Sequence, residues 1–595
     1  MARNTINKDE NSTRRSKKEL ISKLYVYLRP YNKESIKVIL LMLYVMFCGV
    51  LIPYLLEVAI DDKVKNRDIQ GLVMIGVILV VANILALVAS VLRWKKIYSI
   101  TNGILLDIRK ELYSYIQKLS FDFFDNRPVG KILARVVGDV NALKNLFDQS
   151  IQMLIPQLLN LLILSIAMLM QNIKLGVICI LILPILALAM FCIEIFSRRR
   201  WEVYRKKRSN LNAFTHEEFS GVKVVQSFAN EEDKINDFSN LVKEQKKSWN
   251  KAIRLNDTFW PLVELSSGFS AAIVFLVGYK LSVAGEIEVG TLIAFSMYAG
   301  MFWRPIMNLS NFYNTLVTNL SAADRIFDVL EIKPTITDIK NAEIMPKIEG
   351  NVEFKDVCFA YEDGDKVLNN VSFKVKPGEK VALVGETGAG KSTIVSLLSR
   401  FYDVTSGEIL VDGKDISKVK LESYRNQMGI MLQDTYLFST SIKENIRYGR
   451  LDATDEEIIE AAKAVNAHEF IMKLEDGYDS EVNERGSRLS LGQRQLISFA
   501  RALLADPRIL ILDEATSNID TQTERLVQGG IEKLLKGRTS FVIAHRLSTI
   551  RDCDKIMVVR DGKIVEVGRH EELIKNKKYY YDLYMAQYEF LNEGA

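Results

Sequence analysis

Long apolar stretches dominate the first third of the 595-residue chain. The four longest carry no charged residue: Val38–Leu56, Ile69–Leu92, Gln149–Ile173 and Leu175–Ile193. Each reaches the ~20 residues that a helix needs to cross a hydrocarbon core about 30 Å thick. Two weaker runs, Leu265–Tyr279 and Val289–Trp303, reach that length only when they are extended past Glu264 and past Arg304 and Pro305. The pattern therefore predicts six transmembrane helices.

The distribution of basic residues predicts how these helices are oriented. Lys and Arg are concentrated in Met1–Lys37, Arg93–Asp148 and Arg198–Asp257, whereas the connections on the opposite side are short and hold few of them. Because basic loops stay on the cytosolic side, both termini and the two long loops are predicted to be cytosolic. The segment Leu20–Tyr31, in which Leu and Tyr alternate with Lys and Arg, is either an interfacial helix or an ordinary N-terminal helix.

The two basic loops, of about 55–60 residues each, are too long to be simple connections. In the first, Gly and Pro occur mainly in Arg127-Pro128-Val129-Gly130, which predicts two helices that leave the membrane and are joined by a tight reversal. The second loop is predicted to be helical around Phe219–Phe228. These hairpins either project below the bilayer to contact another surface or are bundle helices with a solvated face.

A change of pattern at Ile348 marks a second domain, in which short β-type runs alternate with helical stretches. Its clearest motif is a phosphate-binding loop between the apolar strand Val381–Val384 and the helix-like Thr393–Arg400. The residues of this loop are Gly385, Glu386, Thr387, Gly388, Ala389, Gly390, Lys391 and Ser392. Glycines allow backbone N–H groups to close around phosphates at a helix N-terminus. Lys391 supplies positive charge to the phosphates, and Ser392 supplies a hydroxyl ligand for Mg²⁺.

A carboxylate pair follows a second apolar strand, Ile509–Leu512. The strand places Asp513 at the carboxyl edge of the sheet, where it can reach Mg²⁺ directly or through water. The next residue, Glu514, can polarise the attacking water as a general base. Such a pair is often just a solvated turn, but together with a phosphate loop it indicates nucleotide hydrolysis.

The segment Leu489-Ser490-Leu491-Gly492-Gln493, followed by the helical run Arg494–Leu504, completes an ordered set of motifs. Over nearly all of Leu20–Tyr588 the chain resembles the ATP-binding-cassette (ABC) exporters, specifically half-transporters in which six helices are fused to one cassette. The resemblance implies ATP and Mg²⁺ as ligands. The residues to which it assigns roles are Tyr361, which would stack on adenine; Thr393 beside the phosphate loop; Gln433, which would link Mg²⁺ and nucleotide to the transmembrane part; Ser490, Gly492 and Gln493 of the signature motif; Glu484–Gly486, which would touch the transmembrane hairpins; Ser517–Asp520, the loop after the catalytic glutamate; and His545, the switch histidine.

The resemblance also implies an architecture. The predicted fold is an all-α six-helix transmembrane domain with long cytosolic extensions, fused to an α/β P-loop (RecA-like) ABC ATPase domain with a helical subdomain. The predicted segments are an N-terminal segment at 1–35, the transmembrane domain at 36–320, a linker at 321–347, the nucleotide-binding domain at 348–588 and a tail at 589–595. Coupling helices near 121–131 and 216–228 would connect the two domains.

One residue departs from the family pattern: Leu491 occupies the signature position where a glycine is usual. Glycine there lets the backbone approach the γ-phosphate and tolerates a positive φ, so Leu491 is predicted to be strained and to weaken the signature. In the family, two cassettes pair head to tail, and each ATP lies between one chain's phosphate loop and the other's signature, so a second half-transporter is implied. An intact hydrolytic set beside an altered signature favours a heterodimer with one degenerate site. The alternative is a homodimer that tolerates Leu491.

Composition and charge narrow the possible functions. Lys+Arg 78 against Asp+Glu 73 leaves a net charge of +5, which is too balanced for a nucleic-acid binder, so no nucleic-acid partner is expected. The five cysteines and four histidines are scattered, which argues against a disulfide scaffold and a zinc site. The long apolar runs argue against a soluble ABC ATPase. An ATP-gated channel or regulator would share every feature seen here and stays an alternative.

The predicted function is ATP-driven export of a small amphipathic or lipophilic molecule, a drug or a lipid, across the plasma membrane. About 35 residues precede the first span, too few for an N-terminal protease domain, so a peptide-processing exporter is not expected. Two ionisable residues near the weak spans, Glu264 and Arg304, either line a substrate cavity or lie at the membrane interface. The sixth span holds side chains that suit a permissive cavity or simply pack the helices: Met297, Tyr298, Met301, Phe302 and Trp303.

Overall fold

A computed structural model describes residues 15–125, 127–361, 364, 366–431, 435–483, 486, 488–513, 521–543 and 550–592. The chain divides into two compact units. Of the described residues, 15–117 and Pro128–Ile332 form the helical unit, and Lys118–Arg127 together with those from Lys333 onward form the α/β unit. The short segment Lys118–Arg127 therefore lies between two parts of the helical unit in sequence but groups with the α/β unit in space.

The first twelve α-helices follow the apolar runs and the two long basic loops. They are α1 (Lys17–Leu28), α2 (Asn32–Val58), α3 (Ile69–Ile116), α4 (Phe121–Asp125), α5 (Val129–Leu133), α6 (Val140–Gln149), α7 (Ile155–Gln171), α8 (Ile173–Ser220), α9 (Val222–Ser227), α10 (Glu231–Asn256), α11 (Phe259–Val283) and α12 (Val289–Leu330). Helix α4 belongs to the α/β unit and the others to the helical unit. Side-chain caps fix several starts: Asp68 Oδ1 accepts from Gly71 N at α3, and Asn172 Oδ1 accepts from Leu175 N at α8.

Among the described residues, four helical stretches are long and apolar enough to cross a membrane. They are Lys17–Val64, Ile69–Ile116, Val129–Gln171 and Pro261–Val283, which cover the first, second, third and fifth predicted spans. The fourth predicted span lies in α8, where the side chains of residues 182–195 are outside the described part. The sixth corresponds to the apolar start of α12, Val289–Trp303, and the helix continues through Pro305 to a length of 42 residues. Both weak runs thus belong to helices longer than their apolar cores.

Two helices are much longer than a membrane requires. Helices α3 and α8 have 48 residues each. At about 1.5 Å per residue each is roughly 70 Å long, more than twice the thickness of a hydrocarbon core. The excess length agrees with the predicted continuation of helices beyond the bilayer.

Three predicted boundaries differ from the observed helices. The helix predicted around Phe219–Phe228 is interrupted at Gly221, which ends α8 and precedes the short α9. Helix α12 runs to Leu330, so the predicted linker at 321–347 begins inside a helix. The C-terminal helix continues to Asn592, within the predicted tail at 589–595. In the last two cases the helix extends beyond the apolar run or motif that marked the domain in the sequence.

Helix α12 is held by contacts at both ends and in its apolar segment. Asp61 caps its first turn, because its carboxylate accepts from Gly290 N at 2.6 Å and from Thr291 N at 3.0 Å. Near the other end, the guanidinium of Arg15 lies 2.6 Å from carboxylate oxygens of Asp324 and Asp328. Three aromatic side chains of the apolar segment of α12, Tyr298, Phe302 and Trp303, are almost fully buried in the core. These three side chains therefore pack the helices, which is the second of the two roles predicted for the sixth span.

The α/β unit contains two sheets. An antiparallel sheet has the order β2-β1-β4-β5, and a six-stranded sheet has the order β10-β9-β3-β8-β7-β6. The strands are β1 (Val352–Ala360), β2 (Lys366–Val375), β3 (Lys380–Val384), β4 (Ser406–Val411), β5 (Lys414–Asp415), β6 (Met428–Met431), β7 (Ile509–Asp513), β8 (Thr539–Ile543), β9 (Lys555–Arg560) and β10 (Lys563–Gly568). In the larger sheet β9, β3, β8, β7 and β6 are parallel, and β10 is antiparallel to β9. Parallel strands end at one edge, where ligands bind in open α/β folds.

The helices of the α/β unit flank these sheets and form a separate group between β6 and β7. They are α13 (Lys391–Leu398), α14 (Leu421–Arg425), α15 (Ile442–Arg447), α16 (Asp455–Ala464), α17 (His468–Ile471), α18 (Leu491–Leu504), α19 (Thr521–Leu535), α20 (His570–Asn576) and α21 (Tyr579–Asn592). The central strands are largely apolar because both faces of the sheet are covered, and every residue of β8 is buried, including Thr539 and Ser540.

Candidate functional site

The phosphate loop joins the end of β3 to the start of α13. Gly385, Gly388 and Gly390 adopt φ values of 156°, 87° and 108°, which residues with side chains disfavour. A Cβ atom on Gly385 would lie 2.1 Å from the carbonyl oxygen of Val559 on β9. The loop therefore runs too close to the neighbouring strand to accommodate a side chain at its first position.

Lys391, the first residue of α13, is folded into this loop. Its side chain is buried, and Nζ donates to the carbonyl oxygens of Gly385 at 2.7 Å and Glu386 at 2.9 Å. Burial lowers the pKa of Lys391, and the charge of Asp513 acts in the opposite direction. The amino group is thus held inside the loop, where phosphate oxygens could replace the two carbonyl oxygens as its partners.

Oxygen donors that suit Mg²⁺ lie at the same edge of the sheet. Strand pairing aligns Leu383 on β3 with Ile543 on β8, and Ile543 with Asp513 at the end of β7. Ser392 is exposed at the second position of α13. A carboxylate and a hydroxyl are oxygen ligands of the kind that Mg²⁺ prefers, so the residues present fit the ion. Gln433, the third predicted ligand, lies outside the described residues.

Tyr361 lies beside the phosphate loop. Its hydroxyl is 3.3 Å from Thr393 Oγ1, one residue after Ser392, and its side chain is 40% exposed. The ring contacts Phe359 and Tyr402 edge-on, at centroid distances of 4.8 Å and 5.2 Å. An exposed aromatic ring held by two other rings is a suitable stacking surface for a nucleobase. The structure thus brings together the predicted adenine, phosphate and Mg²⁺ residues that it describes.

The signature segment forms the start of α18. Ser490 is its N-cap, and a capping box links Ser490 to Gln493: Gln493 N donates to Ser490 Oγ at 3.3 Å, and Ser490 N donates to Gln493 Oε1 at 2.9 Å. Leu491 is the first residue of the helix and is not among the residues of positive φ. The prediction that Leu491 is strained is therefore wrong, because the first position of a helix has an ordinary right-handed backbone.

Several predicted residues lie outside the described part of the chain. They are Gln433, Glu484, Arg485, Glu514, the segment 517–520 and His545. Gly486, the described member of its segment, has a φ of 73°, and its carbonyl oxygen accepts from Arg494 Nη1 at 3.4 Å. For the others, the expected roles rest on the sequence.

Two neighbours of the phosphate loop were not predicted from the sequence. Gly562 N, in the turn between β9 and β10, donates to Ala389 O at 3.2 Å. Burial and the nearby carboxylate of Glu386, the second residue of the loop, raise the pKa of Tyr579 on α21. The Asp561-Gly562 turn could have been recognised, but no local pattern indicates which loop it contacts.

Gly385→Ala tests the close approach at the loop. We expect the added methyl group to destabilise the α/β unit by about 1–3 kcal/mol, because it overlaps Val559 O and the backbone conformation disfavours a side chain. Thermal unfolding of the purified protein measures this change. Gly537→Ala is the matched control, since Gly537 has a φ of 73° but nothing within 4 Å of an added Cβ. Equal losses of stability in both variants would contradict the clash with Val559.

Comparisons with known proteins find relatives of both the helical unit and the α/β unit. Residues 36–306 match the family described as the ABC transporter transmembrane region, and residues 368–517 match the ABC transporter family. The chain is 40% identical over 568 residues to the ABC transporter ATP-binding protein YknV of Bacillus subtilis, covering 95% of this chain and 94% of YknV. It is 36% identical over 541 residues to the ATP-dependent lipid A-core flippase of Syntrophus aciditrophicus, covering 90% and 89% of the two chains.

A solved structure of a bacterial Atm1-family ABC exporter with ATP bound superimposes with a TM-score of 0.78 at 28% identity, covering 94% of this chain and 98% of that one. The fold and the site define an ATPase fused to a transmembrane helical bundle. The chain belongs to the ABC exporters, as a half-transporter with one transmembrane domain and one ATP-binding domain. It is a membrane protein that hydrolyses ATP, couples the hydrolysis to transport and works as a dimer.

Proposed function

We propose that this half-transporter exports a small amphipathic or lipophilic molecule, a drug or a lipid, across the plasma membrane, with both termini in the cytosol. Among its relatives is a putative multidrug export ATP-binding/permease protein, YgaD of Bacillus subtilis, which is 38% identical over 575 residues. A second is the lipid A-core flippase already described. One name refers to the export of drugs and the other to a lipid, and these are the two kinds of substrate proposed for this chain.

The observation that carries the proposed ATPase chemistry is the assembly of Lys391, Asp513 and Tyr361 around one loop. In this proposal Tyr361 stacks on adenine, while the loop backbone and Lys391 bind the phosphates. Ser392, Asp513 and Gln433 hold Mg²⁺, which when bound neutralises phosphate charge. Glu514 polarises the attacking water, and His545 contacts the γ-phosphate.

The second cytosolic hairpin supports docking onto the other half-transporter. Phe219 and Phe228 are each 75% exposed and Val224 is 61% exposed, around the short helix α9. Apolar side chains this exposed at the tip of a helical hairpin favour burial against another surface. We propose that α9 and α4 are the two coupling helices, and that the cassette of the partner subunit covers α9.

We further propose that the dimer is asymmetric. Leu491 stands at the first position of α18, where backbone N–H groups have no partner within the helix and face an anion in the family arrangement. The leucine side chain, not backbone strain, would keep the γ-phosphate of the opposite site at a distance. This chain would then supply Glu514 to the active site and Leu491 to the degenerate one.

The mass and ATPase rate of this chain purified alone in lipid nanodiscs test the asymmetry. We expect a monomer or an inert dimer, and activity only when a neighbouring half-transporter is co-expressed. A dimer of this chain alone with vigorous turnover would instead establish a homodimer. Uphill accumulation of a dye in vesicles distinguishes a pump from a channel, because a channel cannot move its substrate against a gradient.

Substitution of Leu491 separates its side chain from the helix backbone. In the complete dimer, Leu491→Gly is expected to raise ATP affinity at the opposite site by about ten- to a hundredfold, because one recovered charge-assisted hydrogen bond contributes about 1.5–3 kcal/mol. Leu491→Ala should give an intermediate value. Titration of ATP binding in a hydrolysis-deficient background measures both. Unchanged affinity in the glycine variant would show that Leu491 is neutral.

A further inference from the structure

Helix α4 is packed against the segment that follows α13. The ring centroids of Phe121 and Phe401 are 4.2 Å apart, and the carboxylate of Asp125 accepts a hydrogen bond from the hydroxyl of Tyr402. All four residues belong to the α/β unit. In the chain, α4 follows α3 and precedes α5, and short connections join it to both of these helices of the helical unit.

Tyr402 also contacts the proposed adenine surface. Its ring lies edge-on against Tyr361, at a centroid distance of 5.2 Å and an angle of 86°. The hydroxyl of Tyr361 in turn reaches Thr393 on the first turn of α13. Burial and the neighbouring Asp125 raise the pKa of Tyr402, so that its hydroxyl keeps its proton and stays a donor. One side chain therefore contacts both the ATP site and α4.

The backbone that carries Tyr402 is held firmly. Arg400 is 1% exposed, has a φ of 52°, and donates from its guanidinium to Val419 O at 2.9 Å and Ser417 O at 3.0 Å. Arg425 donates to Arg400 O at 2.7 Å and lies over the ring of Phe401 at 5.1 Å. Buried charge-assisted hydrogen bonds of this kind limit local movement. Tyr402 is thus presented from a rigid support and not from a free loop.

We propose that Tyr402 is a positioning residue: its ring supports Tyr361 against adenine, and its hydrogen bond to Asp125 transmits occupancy of that surface to α4. The inference rests on the proposed adenine role of Tyr361. A nucleobase on the exposed face of Tyr361 restricts the ring, Tyr402 is restricted with it, and Asp125 holds α4 in the corresponding position. The ring and the hydroxyl of one tyrosine therefore serve separate functions.

Tyr402→Phe tests the hydroxyl alone, since it keeps the ring. In the complete dimer we expect the KM for ATP to stay within about twofold of the wild type, because the aromatic contact with Tyr361 remains. The ATP-induced change in hydrogen–deuterium exchange of the helical unit should fall to less than half. Asp125→Ala should have the same effect, and Asp125→Asn, whose amide oxygen still accepts the bond, should restore the response.

Tyr402→Ala tests the ring. It should raise the KM for ATP about threefold to tenfold, because it removes an aromatic contact of Tyr361. Tyr448→Phe is the matched control for Tyr402→Phe, because Tyr448 is a 58% exposed tyrosine of the same unit. This substitution should leave both the KM and the exchange response unchanged. If Tyr402 only stabilised the fold, its substitutions would change the KM for ATP and the exchange response together.

Two outcomes distinguish the inference from the proposed function. A wild-type exchange response in both Tyr402→Phe and Asp125→Ala, with a raised KM in Tyr361→Ala, would overturn the role of Tyr402 only. An unchanged KM in Tyr361→Ala would overturn the adenine assignment itself. The expected pattern, with KM changed by loss of the ring and exchange changed by loss of the hydroxyl, supports both.

Discussion

Replacement of Glu514 by Gln is expected to lower the ATPase rate by about a hundred- to ten-thousandfold, the range that a positioned general base contributes. Glutamine retains the shape of the side chain but cannot accept the proton of the attacking water. Glu514 directly follows Asp513, which ends β7 at the edge of the sheet where the phosphate loop begins. Removal of the base should leave ATP binding intact, so the variant should accumulate in an ATP-bound, closed state.

Phosphate release measures the ATPase rate, and retained nucleotide measures how much of the variant stays bound to ATP. The complete dimer in nanodiscs is incubated with ATP and Mg²⁺, and bound ATP is quantified after rapid gel filtration. Glu532→Gln is the matched control, because Glu532 is an exposed glutamate on α19. Normal turnover in Glu514→Gln would rule out Glu514 as the base. Normal turnover would also contradict the proposed asymmetry, in which this chain supplies Glu514 to the active site.

Replacement of Lys391 by Ala is expected to weaken ATP binding by about a hundred- to ten-thousandfold. Charge-assisted hydrogen bonds contribute about 1.5–3 kcal/mol each, and the ammonium group can make two of them to phosphates. The structure strengthens this expectation, because Lys391 Nζ is already fixed by the carbonyl oxygens of Gly385 and Glu386. Little side-chain entropy remains to be lost when ATP binds.

Equilibrium binding of labelled ATP in the presence of Mg²⁺ measures this loss. The background is Glu514→Gln, so that hydrolysis does not distort the equilibrium. Lys563→Ala serves as the control, since Lys563 is an exposed lysine on β10 of the same unit. Comparable affinity in Lys391→Ala and in the control would contradict the assignment of the phosphate loop. Thermal unfolding of both variants shows whether the buried lysine also stabilises the empty loop.

The candidate site was largely predictable from the sequence because its motifs are local. The phosphate loop is eight consecutive residues, and its chemistry follows from glycine, lysine and serine at fixed spacing between a strand and a helix. The strained conformation predicted for Leu491 was wrong for a local reason as well. Ser490 and Gln493 form a capping box, so Leu491 begins a helix, and an S-x-x-Q pattern could have indicated this.

The sequence by itself determined the two domains, the membrane helices that the structure describes, and the phosphate-loop motif between a strand and a helix, because each depends on hydrophobic period or on a short motif. Only the tertiary structure decided which distant residues meet. Tyr402 and Asp125 are 277 positions apart, and Asp61 caps the first turn of α12 through Gly290, which follows it by 229 positions. Such contacts depend on how whole helices and sheets pack, and a single exposed side chain carries no local signal of its distant partner. The link between the ATP site and α4 is therefore a property of the fold.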